Sequence, residues 1–334
     1  MRQRALHLWA IALFALVCSC SKSKSGGSES ESKAPAKAGS AEPAPAAGGA
    51  TKLSVAAIAI VDVAPLYLAV SKGFFKEQNL DVTVANVRGG AEAVPGVTSG
   101  QFQFAFANVI SLLLATSKGL PLKAVAAGNF STGKPEDFGG IVVPKDSPIK
   151  AMKDLEGKTI SVNQINNIGG VTVRAAMRKG GGDPTKLKFI EVPFPEMPAA
   201  LGQSRVDAAW IVEPFLTVAR NQGAVILDWN FADTGPQIQI SAYFTTKEYA
   251  SKNPDVVQRF AAAINKGLSY AAEHPDDARA ILLTYTKIEK PIADKLNLPL
   301  WAPQMNRESI NLLADLMVQD KMVETKPDVD ALLQ

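Results

Sequence analysis

The side chains best equipped for polar recognition in this chain stand just beyond apolar, strand-like runs. Asp62 follows the run at 52–60, with Tyr67 about one helical turn further on. Asn108 and Ser111 follow 101–107, and Asn129 and Phe130 follow 122–127. The amide-rich segment Asn163-Gln164-Ile165-Asn166-Asn167-Ile168-Gly169-Gly170 follows 159–162, and Trp210 and Glu213 stand at and after the end of 207–211. In open parallel sheets, ligands sit beyond the carboxyl ends of the strands, so these positions are the candidate ligand contacts. Their chemistry is that of hydrogen bonding and stacking rather than of bond making. Structural roles compete at several of them. Asp62 and the asparagines suit helix caps, Glu213 suits a helix N-terminus, and Phe130 and Trp210 suit a core.

Groups that make and break bonds are scarce. The two cysteines are Cys18 and Cys20, and the two histidines are His7 and His274. From Thr51 onward no thiol remains for a nucleophile, a disulfide or a metal cluster. His274 lies in Glu-His-Pro-Asp, which reads as a junction before a helix with proline in its first turn. A Ser-His-Asp triad or a Cys/His metal site has almost nothing to build with, so neither an enzyme nor a cofactor or metal is expected. From Thr51 onward the chain carries 29 basic and 29 acidic side chains. That balance gives no electrostatic footprint for nucleic acid.

The first fifty residues read as an export and anchoring device. Arg2 and Arg4 form a positive start, and the apolar run at 8–17 is too short to span a bilayer, as in a signal peptide. Val17-Cys18-Ser19-Cys20 resembles a bacterial lipobox, which implies cleavage after residue 19 and diacylglycerol on Cys20. Bulky Val17 makes Cys18 the poorer candidate, and an ordinary secretory signal is the alternative. Residues 20–50, rich in Ser, Gly, Ala and Pro, lack the apolar side chains needed to fold. They suit a spacer of roughly 30 Å root-mean-square length. The expected location is outside the cytoplasmic membrane, held by lipid, and on the periplasmic side in a Gram-negative host.

The remaining ~280 residues exceed one compact core, so two lobes are expected. Strand-like segments at 52–60, 80–87, 101–107 and 122–127 alternate with helical ones, then again at 139–144, 159–162, 188–192, 207–211 and 225–227, with another at 238–244. This alternation predicts mainly parallel sheets with helices on both faces. A last helical stretch, at 255–273, 278–285 and 307–321, suggests a return to pack on the first lobe.

Four segments in register resemble bacterial solute-binding proteins of ABC importers for nitrate, aliphatic sulfonates, taurine and thiamine-pyrimidine precursors. They are Ala64-Pro65-Leu66-Tyr67-Leu68-Ala69-Val70-Ser71-Lys72-Gly73-Phe74-Phe75, the stretch 96–106 with Lys118-Gly119-Leu120-Pro121-Leu122, Val143-Pro144-Lys145-Asp146-Ser147-Pro148 with Asp154-Leu155-Glu156-Gly157-Lys158, and Arg205-Val206-Asp207-Ala208-Ala209-Trp210 with Glu213-Pro214-Phe215. They cover residues 52 to about 250. The resemblance implies an α/β, two-lobed type II periplasmic-binding-protein fold with two crossover strands and a C-terminal helical return. Lobe 1 would comprise 51–143 plus 240–334, lobe 2 would comprise 144–239, and the crossovers would fall near 141–145 and 237–242. It further implies a monomer that closes on a ligand and delivers it to a membrane permease with its ATPase subunits.

The candidate ligand contacts lean toward amides, aromatics and two acids. Arg88 and Arg174 are the only arginines near them, whereas a dedicated anion site often uses a cationic clamp. The expected ligand is therefore a small heterocyclic or aromatic molecule, a vitamin or precursor such as riboflavin or a thiamine pyrimidine. An organic anion (aliphatic sulfonate, taurine, nitrate or aromatic carboxylate) is the alternative, because helix N-termini alone can hold anions. A pyrimidine-forming enzyme on the same fold is a more distant one.

Overall fold

The computed structural model describes residues 49–334. The expectations for the signal segment, for Cys20 and for nearly all of the spacer lie outside the described residues. Ten strands form two five-stranded sheets. The first contains β1 (Thr51–Ala57), β2 (Leu80–Asn86), β3 (Phe104–Asn108), β4 (Leu122–Ala127) and, from late in the chain, β10 (Ser241–Thr246). The second contains β5 (Gly139–Pro144), β6 (Thr159–Val162), β7 (Lys188–Glu191), β8 (Ala208–Val212) and β9 (Ala224–Asp228). Their orders, β2-β1-β3-β10-β4 and β7-β6-β8-β5-β9, are the same pattern twice.

Burial follows strand position. All five residues of the central β8 are buried, as a strand covered by helices on both faces requires, whereas the edge strand β7 is mostly exposed. The pairs β1–β2, β1–β3, β6–β7 and β6–β8 are parallel, but β10 and β5 run antiparallel to their neighbours. The reason is the chain path. The parallel strands end at the cleft between the sheets, while a strand arriving from the other lobe begins there and runs the opposite way.

This path moves one expected boundary. The segment at 139–144 is no crossover: β5 pairs along its length with β8 and β9 and belongs to the second lobe, so lobe 1 ends earlier than residue 143. The crossing connections are the short antiparallel pair formed by 128–131 and 238–241, held by Gly128 N–H donating to Ser241 O, Ser131 N–H to Ile238 O and Ile240 N–H to Asn129 O.

The helices that bear on the site are α1 (Ala64–Ser71), α2 (Gly90–Thr98), α3 (Val109–Ser117), α4 (Ile168–Lys179), α5 (Phe215–Asn221), α6 (Pro254–Glu273) and α7 (Arg307–Gln319). The expected helical return is present. Helix α6 buries Phe260, Ala263, Ile264, Gly267, Leu268 and Ala271, one stripe at helical spacing. It lies so close to α1 that a Cβ on Gly267 would stand 2.5 Å from Pro65 O. Helix α7 packs on α3 and also on α4, and Asp320 just beyond it bonds Arg178 at 2.5 Å. The return thus touches both lobes rather than the first alone.

Candidate functional site

Between the sheets lies a cavity with about 440 Å³ of atom-free space, part of it open to solvent. Lobe 1 lines it with Ile58, Ile60, Asp62, Gly89, Gly90, Phe106, Ala107, Asn108, Ile240 and Ser241. Lobe 2 contributes Asn163, Asn167, Ile168, Phe194, Trp210, Val212 and Phe231. The lobes are closed on one another. Ala91 N–H donates to Gln164 Oε1 at 3.2 Å, Asn163 Nδ2 to Arg88 O at 3.4 Å, and Val61 N–H to Glu213 O at 3.1 Å. Gly89 permits this approach: its φ of +148° suits glycine, and a Cβ there would stand 2.5 Å from Gln164 Oε1.

Five of the ten sequence-derived contacts line the cavity: Asp62, Asn108, Asn163, Asn167 and Trp210. Asp62 does not cap α1, whose N-cap is Val63 without a side-chain bond. Its carboxyl is buried, and Oδ2 has no hydrogen-bond partner. Burial pushes its pKa up to about 7, with its own backbone amide and the nearby Asn129 amide partly opposing and Asp137 adding to the rise. Trp210 is 2 % exposed and its Nε1–H also lacks a partner. Buried polar atoms are rarely left unpaired, so a free acceptor on a lobe 1 lining residue and a free donor on a lobe 2 lining residue mark where a ligand can bond.

The asparagines serve the helix starts. Asn108 Oδ1 accepts from Ser111 N–H at 3.0 Å at the head of α3. Asn167 Oδ1 accepts from Gly169 N–H at 3.0 Å and Gly170 N–H at 3.4 Å at the head of α4, and its Nδ2 donates to Asn163 Oδ1 at 2.6 Å. At these two helix starts the N–H groups of Ser111, Gly169 and Gly170, which could otherwise serve an anion, are engaged by side-chain caps, whereas α2 begins at Gly89 without one. Among the described residues no lysine or arginine lines the cavity. Arg88 is directed elsewhere, its guanidinium bonded to Glu92. The walls are otherwise apolar, part aliphatic and part aromatic, with Phe194 centred 5.5 Å and Phe231 5.8 Å from Trp210.

The other five lie off the cavity wall. Gln164 makes the bond between lobes already described. Tyr67 is half-buried and stacks on Tyr285, with centroids 3.9 Å apart and planes 5° from parallel. Asn129 sits behind Asp62 in the crossing pair, where its Oδ1 accepts from Ser241 Oγ–H and its N–H donates to the same hydroxyl oxygen at 3.1 Å. Its Nδ2 approaches Asp62 without closing a well-aligned bond. Phe130 pairs by its backbone with Leu300, N–H to O at 2.8 Å and back at 3.0 Å. Glu213 is fully buried and accepts from Thr217 N–H, Thr217 Oγ1 and Asn297 N–H, so it braces α5 and the C-terminal segment.

Sequence reasoning missed Phe194, the Gly89-Gly90 pair, Phe106 and Phe231. The rule that ligands sit after strands would have found the first two sets, which directly follow β7 and β2. Phe106 lies within β3 and Phe231 two residues into a short helix, and neither carries a local signal.

Two sheets of identical order, joined by paired crossings and closed over a cavity, define the periplasmic-binding-protein fold. The alkanesulfonate-binding protein of Xanthomonas axonopodis pv. citri, solved bound to MOPS, superposes with a TM-score of 0.72 over 86% of this chain and 99% of its own, at 18% identity. The chain belongs to the NMT1/THI5-like family, which it matches over residues 60–278. The formylaminopyrimidine-binding protein of Halalkalibacterium halodurans is 25% identical over 257 residues, 75% of this chain and 73% of that protein. A 4-amino-5-hydroxymethyl-2-methylpyrimidine phosphate synthase of Saccharomyces cerevisiae is 23% identical over 224 residues, 63% of this chain and 64% of that enzyme. The chain's relatives thus include a protein named for binding and a protein named for catalysis.

Proposed function

We propose that this protein is the solute-binding receptor of an ABC importer and that it closes on a small nitrogen heterocycle, a vitamin precursor of the pyrimidine kind. The observation that carries the reading is the pairing of an unpartnered Asp62 Oδ2 with an unpartnered Trp210 Nε1–H in a cavity that is part aliphatic and part aromatic, with no cationic side chain among the described residues of its wall. An amino-substituted ring presents N–H donors to the carboxylate, a ring nitrogen to the indole N–H, and a flat face to the aromatics. Asp62 and the capped helix starts disfavour a sulfonate, nitrate or carboxylate, whose charge would lack a counter-ion. The closed cavity is compact, which favours a single ring over a flavin. The pyrimidine named for the Halalkalibacterium relative is a ligand of this chemistry.

Binding without turnover is part of the proposal. Among the described residues no cysteine, histidine or lysine lines the cavity, and its one hydroxyl, Ser241 Oγ, is engaged with Asn129, which leaves Asp62 without a nucleophile to activate. Lipid attachment at Cys20 and capture by a permease complete the reading and rest on the sequence and the family. The test is native mass spectrometry of the protein for a co-purified ligand, followed by calorimetric titration with formylaminopyrimidine, 4-amino-2-methylpyrimidine, riboflavin, taurine, an alkanesulfonate and nitrate. Tight binding of the aminopyrimidines alone supports the reading. Binding of the anions alone overturns the choice of ligand, and conversion of any compound overturns the receptor role.

A further inference from the structure

A second cavity, with about 430 Å³ of atom-free space, lies against the first. The two share Ile58 and Ile60 from lobe 1 and Phe194 from lobe 2 as a common wall. Beyond that wall the second cavity is lined by Val87, Pro193, Pro195 and Phe215, with Asn86 and Arg88 the polar side chains among its lining. It too is built from both lobes, so closure shapes it together with the first.

Its chemistry differs from that of the first. Pro193 and Pro195 flank Phe194 and carry no backbone N–H, so this wall offers no main-chain donors at those positions. The Arg88 guanidinium is bonded to Glu92 and is largely exposed, so it supplies no buried charge. The space thus suits an apolar group whose far end meets water. Phe194 connects the two regions, since its ring lies on this wall and also 5.5 Å from the indole of Trp210.

We propose that the ligand is two-part: a polar ring held in the Asp62–Trp210 chamber and an apolar arm that passes Phe194 into the chamber of Val87 and Phe215. This inference rests on the heterocycle reading above and deepens it by naming the ligand's second half. The arm is the occupant because the chamber adjoins the ligand cavity, with Ile58, Ile60 and Phe194 lining both, rather than standing apart as a surface groove. Phe215 and Val87 then set which substituents are accepted, while Asp62 and Trp210 set which ring is accepted.

The test is a homologous series: 4-amino-2-methylpyrimidine, unsubstituted at position 5 or carrying a methyl, propyl or pentyl group there, titrated calorimetrically into the full folded protein. Each methylene buried in the second chamber should tighten binding by roughly four-fold, up to the length at which the arm reaches water. Phe215→Ala and, independently, Val87→Ser should shrink the ratio of parent to pentyl dissociation constants at least several-fold, and Phe215→Leu should largely keep it. If the parent binds but the alkyl members gain nothing, or if the ratio is the same in all variants, the arm is overturned and the ring reading stands. If no member of the series binds, both fall.

Discussion

The indole of Trp210 rests directly on the first turn of α4: a Cβ on Gly169 would stand 2.3 Å from Trp210 Cε3. Contacts that short do not occur, so the cavity wall and the helix start are fitted to each other through a missing methyl group. Gly169→Ala should force the indole off its seat. Overpacking of this kind typically costs about 1–3 kcal/mol. Thermal denaturation should show a fall of several degrees, and aminopyrimidine affinity should drop at least ten-fold. Unchanged affinity with an unchanged melting temperature would mean that the indole has room to shift.

Trp210 carries both a packing role and a donor. Trp210→Phe keeps most of the aromatic contact with Phe194 and Phe231 and removes Nε1–H. Loss of one hydrogen bond to a ligand costs about 0.5–1.5 kcal/mol, so affinity should weaken by roughly two- to ten-fold, while the smaller ring leaves a gap against Gly169 that lowers the melting temperature. Calorimetry and a melting curve on the same preparation separate the two effects. A large loss of stability with normal affinity would assign the residue to the core alone.

Asp62 should make stability and binding respond to pH in opposite senses. Its folded pKa of about 7 lies above the ordinary 3.8, so the empty protein gains stability from the proton that Asp62 keeps. That contribution is complete below about pH 4 and is lost as pH rises through 7. Glu213, also raised to about 7 by burial, acts in the same sense. A ligand that donates N–H to the ionised carboxylate instead binds more tightly as pH rises through 7, by up to about ten-fold per unit below that point. Asp62→Asn should remove this slope from the titrations and flatten part of the melting-temperature profile, leaving the Glu213 share. A wild-type slope retained in Asp62→Asn would clear Asp62 of the role.

The closed state should depend on Gln164. Gln164→Ala removes the bond to Ala91 N–H across the cleft, which amounts to about 0.5–1.5 kcal/mol. Ligand affinity should fall by up to about ten-fold, because binding must then supply that part of closure. Small-angle scattering should show a larger mean radius of gyration in the unliganded variant, restored by saturating ligand. Gly89→Ala should act in the same direction, since its Cβ would meet the Gln164 carboxamide.

Much of the architecture is legible locally. The runs at 122–127, 139–144 and 159–162 are strands with the expected bounds, because short apolar runs between turn residues have few other ways to bury themselves. What local pattern does not carry is which sheet a strand joins. The strand at 139–144 reads like any other, yet it pairs with β8, about seventy residues ahead, and so falls in the second lobe. The site divides in the same way. Asp62 and Asn163 follow β1 and β6 as expected and line the cavity, as Phe194 and Gly89 do after β7 and β2, whereas Trp210 reaches it from within β8. Tyr67 and Phe130 also follow strands, but distant partners, Tyr285 and Leu300, take them up.

The sequence by itself determined the inventory: no thiol or cluster of histidines after residue 50, a balanced charge, alternating strands and helices, and a pool of amides, aromatics and acids. These follow from composition and from periodicities set by neighbouring residues. Only the tertiary structure decided which polar atoms stay free. Asn108 and Asn167 are engaged as caps and Glu213 is enclosed as a brace, while Asp62 Oδ2 and Trp210 Nε1–H remain unpaired on the cavity wall. The caps are local and follow from neighbouring residues, but Asp62 and Trp210 are enclosed because two lobes built from distant parts of the chain close on each other, and no local pattern encodes that.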